Sequence, residues 1–149
     1  MAVEIREARS GEEERLVQMY EWLFAPPGIK PSRWDPEDAR SRLGEAIGSP
    51  RSTILVAQDA GVLVAFCTAY LELNSVRFGQ RCWVEDLAVD PQRRSQGIGV
   101  LLLDAAKAWG RDGGASHLEL DSGLARKDAH RFYERLGGTR QSFTFGWEL

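Results

Sequence analysis

Apolar and polar residues change their spacing several times along this chain, and each change marks an element. Residues 3–8 (VEIREA) alternate with period two, which suits a strand with one buried face. Ser10 with Glu13 three places later has the capping-box spacing, so a helix is expected over residues 11–23. The run 25–31 (APPGIKP) cannot continue it, because proline lacks an amide hydrogen and restricts the residue before it. Asp35 is an N-cap ahead of Pro36, with Glu37 and Asp38 at the positive end of the dipole, so a second helix starts there and stops near Gly48. Residues 53–58 and 62–71 are β-rich runs on either side of Asp59-Ala60-Gly61 and read as a hairpin. Another strand covers residues 81–89 and ends at Asp90-Pro91.

Ile98, Leu101, Leu102, Ala105, Ala106 and Trp109 then fall at helical spacing, which predicts a helix over residues 97–111, closed by Gly113-Gly114. A short alternating strand is expected over residues 117–120 and an amphipathic helix over 127–136. A final strand over 141–149 either finishes its own sheet or pairs with a second copy of the chain. Helices between strands imply a mixed sheet covered on both faces, a three-layer α/β/α arrangement.

The chain has 149 residues, enough for one sizeable core and short for two, and it carries no repeat or linker; one domain over residues 1–149 is expected. A net charge of −3 gives no general attraction for nucleic acid or an acidic membrane. The one compact basic cluster, Arg93-Arg94, suits a single phosphorylated ligand. The longest apolar run, residues 62–71, is too short to span a bilayer, and no basic-then-apolar signal opens the sequence, so a cytoplasmic protein is expected. Cys67 and Cys82 lack a metal-type or C-x-x-C spacing and read as packed thiols. His117 and His130 are not at metal-ligand spacing either, and no metal is expected.

Chemistry concentrates where the 81–89 strand turns into the next helix. A glycine-rich turn entering a helix presents unpaired amides and the positive dipole end to one point, an anion site. The Walker A pattern is absent, since no Lys-Ser or Lys-Thr follows the glycines, and the dinucleotide fingerprint lacks its third glycine. What remains is R-x-x-G-x-G: Arg94-Ser95-Gln96-Gly97-Ile98-Gly99.

Residues 85–100 as a whole resemble the coenzyme A-binding segment of GNAT N-acetyltransferases. Ala129-His130-Arg131-Phe132-Tyr133 with Gly137 is similar to that family's later helix, and the inferred element order matches its fold. The resemblance implies a mixed, mostly antiparallel twisted sheet in which strands four and five splay apart. It implies that acetyl-CoA is the acyl donor. The amides of Arg94, Ser95, Gln96, Gly97, Ile98, Gly99 and Val100 would cradle its pyrophosphate, and the backbone of Leu87 and Val89 would pair with the pantetheine arm. The Ala88 amide would polarise the thioester oxygen. Ser95 stands where many relatives carry glycine, and Arg126 where they often carry asparagine; Arg126 either reaches the ligand's phosphates or is solvated.

Direct transfer needs a neutral amine, and a lysine-like amine has a reference pKa of ~10.4, so a base or an amine-desolvating pocket is required near neutral pH. Glu85 is the candidate base, with an arginine-paired strand carboxylate as the alternative; Asp86 points to the opposite face if the strand is regular. Tyr133 is the candidate acid for the leaving thiolate, the alternative being a packed ring. The family usually builds its acceptor side from the first two helices and their loop, which nominates Phe24 and Trp34, with Glu72 and Asn74 after the third strand. The expected activity is acetyl transfer to a primary amine of a small molecule or peptide through a ternary complex. The competing expectation is a non-catalytic acyl-CoA-binding sensor or partner module, which would carry the same loop with Glu85 and Tyr133 dispensable.

Overall fold

The structure is a computed structural model that describes residues 2–72 and 75–149. Five strands form one sheet in the order β1-β2-β3-β4-β5: β1 Glu4–Glu7, β2 Ser52–Asp59, β3 Val62–Leu71, β4 Cys82–Val89 and β5 Leu118–Leu120. Neighbours are antiparallel except β4 and β5, which run parallel. Four helices complete the order, α1 Glu13–Phe24, α2 Pro36–Gly48, α3 Ile98–Asp112 and α4 Lys127–Arg135.

Both faces of β2 and β3 are buried, which is why their sequences run apolar without a break. On one face Ile54, Val56 and Phe66 pack with Leu16 and Met19 of α1 and Leu43 and Ala46 of α2. On the other, Leu55, Ala57, Ala65 and Cys67 pack with Ile98, Leu102, Leu103 and Ala106 of α3. The three-layer expectation therefore holds. Cys67 and Cys82 are free and buried in the second cluster, and burial raises their thiol pKa values to about 12 and about 11. No described helix is long and apolar enough to cross a membrane.

Three local expectations change. Asp35 caps α2 as read, accepting from the Glu37 and Asp38 amides at 2.8 and 3.2 Å. Ser10 does not cap α1: Glu12 occupies that position, its carboxylate gripping the Arg9 amide at 2.7 Å and Arg6 at 2.8 Å. The Arg6 hydrogen bond holds the Glu12 carboxyl below the usual range. A one-turn 3-10 helix, Pro91–Arg93, capped by Asp90, lies between β4 and the glycine turn. Residues 141–149 form no strand; they follow α4 without regular structure and without a partner in the sheet.

Candidate active site

β4 and β5 pair only through Cys82, Trp83 and Val84 with Leu118, Glu119 and Leu120. From Glu85 onward β4 has no strand on that side among the described residues, so the splay is present. Opposite, a bulge between Thr68 and Ala69 of β3 leaves Glu85 as an extra residue, since Thr68 faces Asp86 and Ala69 faces Val84. One extra residue inverts which main-chain groups face which neighbour. The Cys82 amide donates toward β5, to His117 O at 2.9 Å, whereas the Asp90 amide donates toward β3, to Val64 O at 2.9 Å. Alternation from Asp90 then aims the N–H and C=O of Leu87 and Val89 into the open gap. The same register turns Ala88, opposite Phe66, toward β3, so its amide does not face the gap as expected.

The glycine turn sits beside this gap. Ser95 and Gly97 both have left-handed backbone, at φ +61° and +81°, and α3 opens with no side-chain cap. The first amides of α3 have no intrahelical partner by construction, and Arg94, Ser95, Gln96 and Gly97 are exposed. A Cβ on Gly97 would meet nothing within 4 Å, so the approach is open and the positive φ is what selects glycine there. Gly99 is needed for another reason: a Cβ on it would stand 3.1 Å from the Phe132 ring. The two sequence signals, Gly-x-Gly and Phe-Tyr, thus meet in space. Arg93 is a brace, ion-paired with Asp59 at 2.6 Å and bonded to Gln96 at 3.1 Å.

On the α1 side of the sheet, a cluster forms that the sequence did not suggest. Tyr20 of α1 donates to Asp86 Oδ2 at 2.6 Å, and the Thr68 hydroxyl lies 3.3 Å from the same oxygen while accepting from the Asp86 amide at 3.0 Å. Asp86 is largely buried, which raises its pKa; the nearby Glu85 charge adds to this, and the Tyr20 and Thr68 hydrogen bonds and Arg126 oppose it. Burial also pushes Tyr20 well above the usual phenol range. Tyr20, Phe24, Trp34 and Phe66 form an aromatic group with centroids 4.7–6.0 Å apart. Phe24 and Trp34 are therefore brought to this cluster. Lys30 lies over the Phe24 ring at 5.9 Å and pairs with Glu21 at 3.0 Å. Glu85 is exposed and accepts from the Trp83 indole at 2.6 Å rather than from an arginine.

Other expected residues lie elsewhere. Glu72 pairs with Arg81 at 3.0 Å at the far end of β3, roughly 16 Å along the strand from Cys67. Asn74 lies outside the described residues. Arg126 turns away from the phosphate turn: its Nη2 donates to Leu23 O at the end of α1 at 2.9 Å, and a Cβ on Gly28 would sit 2.6 Å from it. It ties the start of α4 to the loop carrying Trp34. Its charge lowers the pKa of both Asp86 and Tyr133. Tyr133 packs on the same core cluster as Leu87 and Val89, and burial raises its pKa to about 12.

The fold agrees with the comparisons. The Acetyltransferase (GNAT) family model matches residues 16–138, and the chain belongs to that family of acyltransferases. It is 33% identical over 135 residues to the uncharacterised N-acetyltransferase YhdJ of Bacillus subtilis (strain 168), covering 89% of this chain and 94% of that protein. It is 28% identical over 120 residues to an aminoglycoside N(6')-acetyltransferase type 1 of Serratia marcescens, covering 78% and 82% of the two. The structure of AAC(6')-Iy with the bisubstrate analogue CoA-S-monomethyl-acetylneamine has the same fold, with a TM-score of 0.84 at 19% identity over 100% of this chain and 99% of that one.

Proposed function

We propose that this chain moves the acetyl group of acetyl-CoA to a primary amine of a small polar molecule, by direct attack within a ternary complex. The observation that carries the reading is the gap between β4 and β5, edged by the main-chain groups of Leu87 and Val89 and bordered by the open amides of the glycine turn. An acyl-CoA fits these features: an extended amide-bearing arm suits a free strand edge, and a pyrophosphate suits the dipole end of α3. The bisubstrate analogue carried by AAC(6')-Iy joins coenzyme A to an aminoglycoside fragment, which supports the same pairing of donor and amine here.

Asp86 is the base this reading assigns, with Glu85 beside it to attract the incoming ammonium. Burial raises the Asp86 pKa, bringing its proton affinity closer to that of an amine. Asp86 takes one proton from the bound ammonium and releases it to water; the neutral amine then attacks the thioester carbonyl, a C–N bond forms, the C–S bond breaks, and the second nitrogen proton passes to Asp86. Tyr133 donates a hydrogen bond to the departing sulfur. A phenol with pKa about 12 is a weaker acid than a thiol of ~8.5, so full transfer is uphill by roughly 5 kcal/mol. Tyr133 therefore stabilises developing thiolate, and the thiol takes its final proton from the pool released by the amine.

The acceptor class follows from the side of the cluster facing α1 and α2: the carboxylates of Glu85 and Asp86 and the rings of Tyr20, Phe24 and Trp34 suit a cationic amine. Relatives named as aminoglycoside N(6')-acetyltransferases and an aminoalkylphosphonate N-acetyltransferase favour small polyfunctional amines over protein termini. The test is release of free thiol from acetyl-CoA in the presence of aminoglycosides, polyamines and aminoalkylphosphonates, with the acetylated amine identified by mass. Amine-dependent thiol release is expected; a chain that binds acetyl-CoA but acetylates none of these classes would return the competing non-catalytic module.

A further inference from the structure

α1 ends on a carbonyl that its own segment cannot serve. In a continued helix the Leu23 oxygen would accept from the amide of residue 27, and that residue is Pro27, which has none. The last turn of α1 also carries no basic residue to complement the negative end of its dipole. Arg126, just ahead of α4, supplies the missing donor and the missing charge: its half-buried guanidinium donates to Leu23 O through Nη2 at 2.9 Å. The loop is shaped to that contact. Gly28 folds back over the helix end, its amide bonded to Ala25 O at 2.8 Å, and a Cβ on it would overlap the Leu23 oxygen and stand 2.6 Å from Arg126 Nη2. The arginine stem is held from its other side by Gly123, where a Cβ would touch Cγ, Cδ and Nε at 3.8–3.9 Å.

We propose that Arg126 is a positioning residue for the acceptor: it clamps the loop of residues 24–34 to the start of α4 and so fixes the aromatic wall that receives the amine. The proposal rests on the acetyl-transfer reading above. Leu23 is followed by Phe24, whose ring meets Trp34 at 4.7 Å and Tyr20 at 6.0 Å, and Tyr20 holds Asp86 at 2.6 Å. The clamped helix end therefore carries the wall and the residue that orients the base. Further along α4, Phe132 packs on Gly99 of the glycine turn, so one helix braces both the donor turn and the acceptor wall. The cation also lies close enough to Asp86 to lower its pKa, and it repels a cationic amine arriving there. Removing Arg126 thus has two effects of opposite sign: lost charge tightens the amine, and a lost clamp weakens it. The clamp dominates, because the carbonyl and dipole end that the guanidinium caps already offset part of its charge.

Two variants of the full chain separate clamp from charge: Arg126→Met removes both, whereas Gly28→Ala keeps the cation and forces the carbonyl and guanidinium apart. In each, the acceptor KM is expected to rise about tenfold, with kcat lowered less than about threefold and the acetyl-CoA dissociation constant within about twofold of wild type. The double variant should be about as impaired as either single one, since both break one contact. Arg126→Lys, which keeps a donor and a charge for this single-oxygen contact, should recover to within about threefold of wild type. Tryptic cleavage after Arg33, exposed in the clamped loop, needs no turnover and should accelerate about tenfold in both variants. Cleavage after Arg77, exposed between β3 and β4, should stay unchanged. Should Arg126→Met accelerate both cuts and so lose its fold, Gly28→Ala is read alone. Arg33 cleavage at the wild-type rate, an acceptor KM that stays or falls, or acetyl-CoA affinity lost in its place overturns the proposal. A wild type that acetylates no amine contradicts the proposed function alone, and Arg33 cleavage then decides the clamp by itself.

Discussion

The donor side of the proposed site is made of main chain, and the acceptor side of side chains. Around the gap, the relevant groups are the N–H and C=O of Leu87 and Val89 and the amides leading into α3, positioned by a bulge at Glu85 and left-handed backbone at Ser95 and Gly97. Across the sheet, Tyr20, Thr68 and Asp86 come from α1, β3 and β4, and their side chains meet at the Asp86 carboxylate. A main-chain site tolerates any side chain that permits the backbone path. A side-chain site depends on three separate segments keeping register, and can be retuned by one substitution without disturbing the donor. The difference gives a way to assign each residue: donor-side changes should act through backbone geometry and stability, acceptor-side changes through rate.

The largest effect expected is on rate. Asp86→Asn should lower kcat/KM by about 10²–10⁴-fold in a thiol-release assay, while Glu85→Gln changes it less than tenfold; the reverse ranking would restore Glu85 as the base. The raised Asp86 pKa means the folded chain binds that proton more tightly than the unfolded chain does, so ionised Asp86 lowers stability once pH rises through the raised value. Asp86→Asn should therefore melt no earlier than wild type at neutral pH. In the wild type, the acid limb of the kcat/KM profile should lie above the ordinary carboxylate range, and Tyr133 should impose no alkaline limb below about 12.

Next come the backbone predictions. Gly99→Val drives a branched side chain into a ring that already stands 3.1 Å from where a Cβ would be, and should cost about 1–3 kcal/mol in denaturant unfolding. It should also weaken acetyl-CoA, because α3 and the Phe132-Tyr133 turn separate. Smallest is Ser95→Gly, which relieves a φ of +61° and should stabilise by about 0.5–1 kcal/mol, with turnover unchanged. Loss of turnover there would show that the Ser95 hydroxyl, rather than the turn, contacts the donor.

The same contrast explains what could be read from the sequence. The turn from Arg94 to Gly99 was legible because a left-handed turn into a helix is written in consecutive residues: the turn needs Gly97, and the helix follows from it. The β2–β3 hairpin around Asp59-Ala60-Gly61 and α2's Asp35-Pro36 start were legible for the same local reason. The Tyr20–Thr68–Asp86 cluster was not read because period-two reasoning assumed a regular strand, and the Glu85 bulge depends on how Thr68 and Ala69 pair from β3. The sequence carried a weak hint, a threonine inside the apolar β3 run. Arg126 was read as reaching the ligand's phosphates or as solvated, and its guanidinium instead bonds to a carbonyl 103 residues away. Residues 141–149 show the limit of pattern itself: the alternation is there, but a strand exists only where an edge accepts it.

Calorimetric titration of acetyl-CoA into wild type and Asp86→Asn, with turnover measured on the same preparations, tests most directly whether donor and acceptor sides are separately built. The account predicts dissociation constants within twofold of each other and turnover lower by at least a hundredfold in the variant. Undiminished turnover, or acetyl-CoA affinity lost together with it, would contradict the account.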